Sequence, residues 1–203
     1  MYTPEHFKLE NLDIIHEIIG KYPFAVLIST SGEGLEATHL PVLLSKDRSS
    51  LVGHMASGNP LLQENSQVLC VFHGPHAYIS PSWYESAQSV PTWNYISVHV
   101  KGTLHLLDRD QTEKVLQDSI LYFESENSGY GYETPKAEVR NSLLGKIKGF
   151  EIRNLTFEAK LKLSQNHSLE RRKRVIDTLE YSKQDQDLEL AEWMRRINDI
   201  RKS

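Results

Sequence analysis

The chain is nearly devoid of cysteine. Cys70 is the only one in 203 residues, so no internal disulfide can form and a reducing compartment is expected. No apolar run approaches the roughly 20 residues that span a bilayer. The opening "MYTPEHFKLEN" lacks the basic and apolar regions of a signal peptide. These absences lead us to expect a cytoplasmic protein with no membrane partner. An excess of positive charge is missing too. With 23 Lys and Arg against 27 Asp and Glu, the formal net charge is −4, which gives no global attraction to nucleic acid or anionic lipid. There is no G-x-S-x-G elbow for acyl transfer, no internal repeat and no low-complexity tract. What is present, 39% hydrophobic and 25% charged residues, is an ordinary globular composition able to bury a core.

The order of elements follows from periodicity and turn signals. Ile14, Ile15, Ile18 and Ile19 form one apolar helix stripe over 11–21, with Asn11 as cap and Gly20 as stop. "FAVLIST" (24–30), "LEATHLPVLL" (35–44) and "LVGHMA" (51–56) read as closely spaced strands of an antiparallel meander. The "GEGLEA" at 32–37 matches a dinucleotide fingerprint in letters only. A strand-like "THLPVLL" follows where a helix is required, so we read its glycines as a hairpin turn. The 59–66 segment has room for a helical turn or two, and strands follow at 67–74 and 92–108, the latter with Gly102 as a bend or bulge. Helices at 109–126, capped by Asp108 or Asp110, and 135–146 precede a period-two strand over 147–165. Residues 168–203 are helical, with Ser168 capping the first helix and Asp185 or Asp187 the second. The expected fold class is mainly β with helices (α+β): a small antiparallel barrel of about six or seven strands with inserted helices. We take 1–167 as the barrel domain and 168–203 as a helical segment packed on the barrel or on a dimer partner.

Several residues could carry chemistry. His73 and His76 flank a Gly-Pro pair, but no second close pair of Cys or His completes a zinc set, so no metal is expected. Cys70 alternates with apolar neighbours and reads as a buried thiol. "ERRKR" (170–174) is basic, yet 168–203 holds nine Lys and Arg against eight Asp and Glu, which suits a solvated helix face better than a DNA reader. Aromatic and small polar residues concentrate at 53–60, 74–95 and 160–166, a mixture that suits a planar, phosphorylated ligand as well as core or interface packing.

Those stretches resemble the PaiB family. The shared signatures are "ATHLP" (37–41), "GHMA…NP" (53–60), "GPHAYISPSWY" (74–84), "VPTWNY" (90–95), "VHVKG" (98–102), "GFEI" (149–152) and "KLKLSQN" (160–166), in family order along nearly the whole chain. The resemblance implies an FMN-binding split β-barrel related to pyridoxamine-phosphate oxidases and flavin reductases. It also implies a homodimer with its pockets at the interface, and a negative transcriptional regulator linked to protease production and sporulation. On these motifs the expected cofactor contacts are Thr38, His39, His54, Met55, Ser57 and Asn59, then His76, Tyr78, Trp93 and Tyr95, and finally Lys162, Ser164 and Gln165. Ser57 stands where the family carries an arginine. Losing one charge-assisted contact to a phosphate costs about 1.5–3 kcal/mol, and Lys160 or Lys162 would compensate. Two other functions are consistent with the chain: a flavin-dependent oxidoreductase with an indirect regulatory effect, and a repressor that reads DNA with 168–203. The non-enzymatic regulator is the reading we favour.

Overall fold

The structure is a computed structural model that describes the chain except residues 32–33, 85–88, 126, 183 and 201–203; the side chains of 31 and 198–200 are also outside it. The hairpin turn expected at 32–33 and the centre of the 74–95 stretch therefore lie outside the described residues, as do the expected end of the 109–126 helix and the extreme C-terminus.

The first helix, α1 (Leu12–Lys21), follows a two-residue strand, β1 (Lys8–Leu9). Its four isoleucines are buried, as their spacing requires. The hairpin β2 (Phe24–Ser31) and β3 (Gly34–Pro41) pairs Phe24 with Pro41 and Ser31 with Gly34. A paired strand thus follows the "GEGLEA" glycines, which rules out a dinucleotide site there. Pro41 has no N–H to donate, and the expected strand 35–44 breaks after it. Val42 donates instead to the Pro23 carbonyl, and β4 (Leu43–Leu44) pairs with β5 (Leu51–Ala56). No helix forms at 59–66. The Asn59 side chain accepts from the Leu61 amide and Asn65 adopts φ 63°, so two turns replace the helical one.

The remaining elements are β6 (Gln67–Ile79), β7 (Thr92–Leu106), α2 (Arg109–Phe123), α3 (Ala137–Leu144), β8 (Ile147–Lys162), α4 (Leu169–Ser182) and α5 (Asp185–Ile200). Together they give an α+β fold with one antiparallel sheet of eight strands, in the order β3-β2-β6-β7-β8-β5-β4 with β1 paired to β8. The strands beyond the expected six or seven include the two-residue β1 and β4, too short to leave a periodic signal.

Two compact units divide the chain, and β6, β7 and β8 are long enough to contribute to both. One holds Leu12–Phe72 and His99–Phe157. Its core includes Leu27, Leu51, Leu104, Phe150 and Ile152, all fully buried. The Asp108 capping box opens α2, and the Thr112 hydroxyl accepts from the Gly149 amide at 3.0 Å. The other unit holds Met1–Asn11, His73–Val98 and Glu158–Ser203. There α4 and α5 pack on each other through Val175, Ile176, Leu179, Leu190, Met194 and Ile197, all buried. The Ser168 hydroxyl caps α4 by accepting from the Arg171 amide. Asp185 and Asp187 fall in the first turn of α5 rather than at its cap.

Candidate functional site

The "GPHAYISPSWY" stretch builds an aromatic face. Regular alternation would send His73 and His76 to opposite sides of β6. Gly74 and Pro75 are both buried, however, which shifts the phase by one and leaves both histidines exposed on one side. His76 and Tyr78 then meet Trp93 from β7, with ring centroids 6.1 and 6.0 Å from it. Tyr95 lies two residues on, under the Lys160 ammonium at 5.4 Å. Tyr78 is 47% and Trp93 52% exposed, so this is a ring surface open to a flat partner rather than core. Beside it His73, His76, Trp93, Tyr95 and Ile96 line a concavity of about 550 Å³. The Gln186 amide, from α5, donates to the His76 carbonyl and lies 2.9 Å from His76 Nδ1. With Nδ1 accepting, the ring proton sits on Nε2, available to a ligand acceptor. Burial and, to a lesser degree, His76 hold the His73 pKa below the usual imidazole range. No group of three His, Cys, Asp or Glu among the described residues is placed to hold a metal.

A second concavity in the same unit takes up the "KLKLSQN" segment. It measures about 300 Å³ and is lined by Tyr84, Ser89, Val90, Thr92, Asn94, Lys162, Ser164, Asn166, His167 and Arg171. Lys162 Nζ donates to the Trp93 carbonyl at 2.8 Å and to the Thr92 hydroxyl. Burial, then the neighbouring Lys160, lowers its pKa. Ser164 takes a left-handed φ of 64° and is buried, hydrogen bonded to the Asn94 amide at 2.9 Å. Gln165 turns back on the chain, accepting from the Leu163 amide and donating to the Leu161 carbonyl. It fixes the end of β8 and does not line the cavity.

In the other unit, Thr38 and His39 are neighbours on β3 and His54 and Met55 neighbours on β5, so within each pair the side chains point to opposite faces. Met55 is core, 7% exposed, and His39 stands out beside the Phe24 ring. His54 is half-buried, and burial lowers its pKa. The Asn59 carbonyl oxygen is engaged by Leu61. Ser57 lines a cavity of about 250 Å³ with Arg109 and Lys148, and with the carboxylate of Asp108.

The thirteen expected contacts thus fall into separate groups. His76, Tyr78, Trp93 and Tyr95 come together on one face. Lys162 and Ser164 share a different cavity, while Gln165, Asn59 and Met55 have structural partners. Tyr84, Thr92, Asn94 and Asn166 fall in the candidate stretches 74–95 and 160–166 but are not among the expected contacts, and His167 and Arg171 fall outside those stretches. The period-two pattern already placed Asn94 opposite Tyr95, but nothing in it named Ser164, 70 residues away, as a partner.

Comparison with known proteins fits this fold. Residues 1–154 match the protein family described as "Putative FMN-binding domain". Over 200 residues, 96% of each chain, the sequence is 34% identical to protease synthase and sporulation protein PAI 2 of Bacillus subtilis (strain 168). Among solved structures, it is similar to the flavocytochrome Anf3 from Azotobacter vinelandii, with a TM-score of 0.63 at 13% identity over 76% of this chain and 69% of that one. It is also similar to the FAD and heme binding protein from Mycobacterium smegmatis, with a TM-score of 0.62 at 12% identity over 81% and 78%. At those identities the structural likeness speaks for the fold, a split-barrel type, and the sequence matches speak for descent. This chain belongs to the PaiB-like family of FMN-binding domains.

Proposed function

We propose that the chain is a PaiB-type regulatory protein that binds FMN, with the flavin ring stacked on the face formed by His76, Tyr78, Trp93 and Tyr95. The exposed aromatic surface carries this reading, because it is open and beside the Lys160 ammonium. The residues fit the group. Trp93 and Tyr78 offer stacking area, His76 Nε2–H a donor for a ring carbonyl or nitrogen, and Lys160 a positive charge. A bound flavin supplies redox chemistry of its own; the protein's part is to orient the ring and set its surroundings. His54 and Ser57 are put forward as further contacts on the motif resemblance alone.

The family likeness to a protein named for protease synthesis and sporulation supports a regulatory role in those processes; its form as a negative regulator and cytoplasmic homodimer is put forward on the motif resemblance alone. No helix among the described residues is long and apolar enough to cross a membrane. The reading as a direct DNA-binding repressor draws less support. Within "ERRKR", Arg171 stacks over the Tyr84 ring at 5.4 Å and Arg174 pairs with Glu170 at 3.1 Å, so at least these two basic side chains are engaged by their own chain. Titration of FMN into the protein, followed by tryptophan and flavin fluorescence, tests the proposal. Saturable binding that Trp93→Ala weakens at least about tenfold supports it; binding indifferent to Trp93 and Tyr78 overturns the placement of the ring.

A further inference from the structure

We propose that the cavity at the N-terminal turn of α4 is a separate binding site for a small phosphate-bearing metabolite. Its charge is the first argument. Lys162 and Arg171 are fixed cations, His167 adds a third basic group, and no carboxylate lines the cavity among the described residues. Two fixed positive charges match a phosphate monoester, which carries roughly −1.5 to −2 at neutral pH. The positive end of the α4 dipole adds to the same field.

The second argument is an unfilled hydrogen-bonding need. Among the described residues the Tyr84 hydroxyl has no partner, and it is buried on a residue only 8% exposed that lines the cavity. A buried hydroxyl left unpaired costs about 1–3 kcal/mol, so an acceptor in the cavity answers it. Lys162 points the same way. Its two described partners, the Trp93 carbonyl and the Thr92 hydroxyl, are neutral oxygens, and an ammonium has three protons to donate. Its lowered pKa records the cost of holding that charge away from water without a counterion.

Asn94 and Ser164 satisfy each other and form the floor. The Tyr84 ring, held under Arg171, and Val90 give an apolar side, so the ligand carries a small organic part as well as its phosphate. The site is distinct from the flavin face because β7 alternates. Thr92 and Asn94 line this cavity, while Trp93 belongs to the aromatic cluster and Tyr95 to the concavity beside it.

The test is isothermal titration of inorganic phosphate and of glycerol 3-phosphate at constant ionic strength. It is run with and without FMN, with acetate as the carboxylate control. The expected result is saturable single-site binding of both phosphates, tighter for the ester and absent for acetate. Arg171→Gln should weaken it about ten- to a hundredfold and Tyr84→Phe about three- to tenfold. Tyr84→Phe keeps the ring packing, so it stays informative if Arg171→Gln does not fold. FMN affinity should be unchanged in both. No saturable phosphate binding, equal binding of acetate, binding unaltered by either variant, or displacement of phosphate by FMN would each overturn the site. Phosphate binding in a protein that takes no FMN would sustain it while defeating the flavin reading.

Discussion

Gly102 shows how a single residue is set by its neighbours. The sequence marks it as a bend or bulge, and the structure adds a close contact at a φ outside the left-handed region. A Cβ there would lie 2.6 Å from the Arg153 carbonyl oxygen and 2.6 Å from Ile152 Cγ2. Backbone cannot yield as a flexible side chain does, so Gly102→Ala should cost about 1–3 kcal/mol, read as a lowered urea midpoint at unchanged m-value. Cys70 makes a second prediction. Full burial pushes its thiol pKa well above the usual range, so an aromatic disulfide reagent should leave it untouched until the protein unfolds. His16, His54 and His73 supply a third. Burial lowers all three from 6.5, so between their folded values and 6.5 the unfolded chain binds more protons than the native one. Stability should be full at neutral pH and fall as the pH drops through about 6.5, and His54→Gln should flatten that slope. At this scale burial was legible for Cys70 and for the isoleucine stripe. Partners were not: nothing near Gln165 or Ser164 in the sequence announces that their hydrogen-bonding groups serve the chain itself.

Elements obeyed their local signals where the signal and the packing agreed. Asp108 and Gln111 form the capping box that opens α2, and removing it with Asp108→Ala should cost about 1 kcal/mol, measured by thermal unfolding. Period two gave β7 and the apolar side of β8, period 3.6 gave α1 and α5, and the Ser168 cap marked the start of α4. The misses have physical causes. At 59–66 the Asn59 and Asn65 turns outcompeted a short helix that has too few residues to repay nucleation. At 35–44 Pro41 interrupted the ladder. In β6 the Gly74–Pro75 pair moved the phase of alternation. The strand expected over 67–74 runs on through that pair to Ile79, with His73 and His76 on one side.

For the whole molecule, local signals identified the strands and gave no order for them. The sheet order β3-β2-β6-β7-β8-β5-β4 joins segments far apart in the chain, such as Leu51 with Ile152, and that information entered only through the family motifs. Of the residues the same motifs named, His76, Tyr78, Trp93 and Tyr95 form an aromatic face, and Lys162 and Ser164 line a cationic cavity in the same unit. The central claim is that the aromatic face binds a flavin. Its most direct test is the visible spectrum and FMN titration of the purified protein. The account predicts flavin absorbance or saturable FMN binding with quenching of tryptophan emission, weakened at least about tenfold by Trp93→Ala. A colourless protein that shows no saturable FMN binding would contradict it.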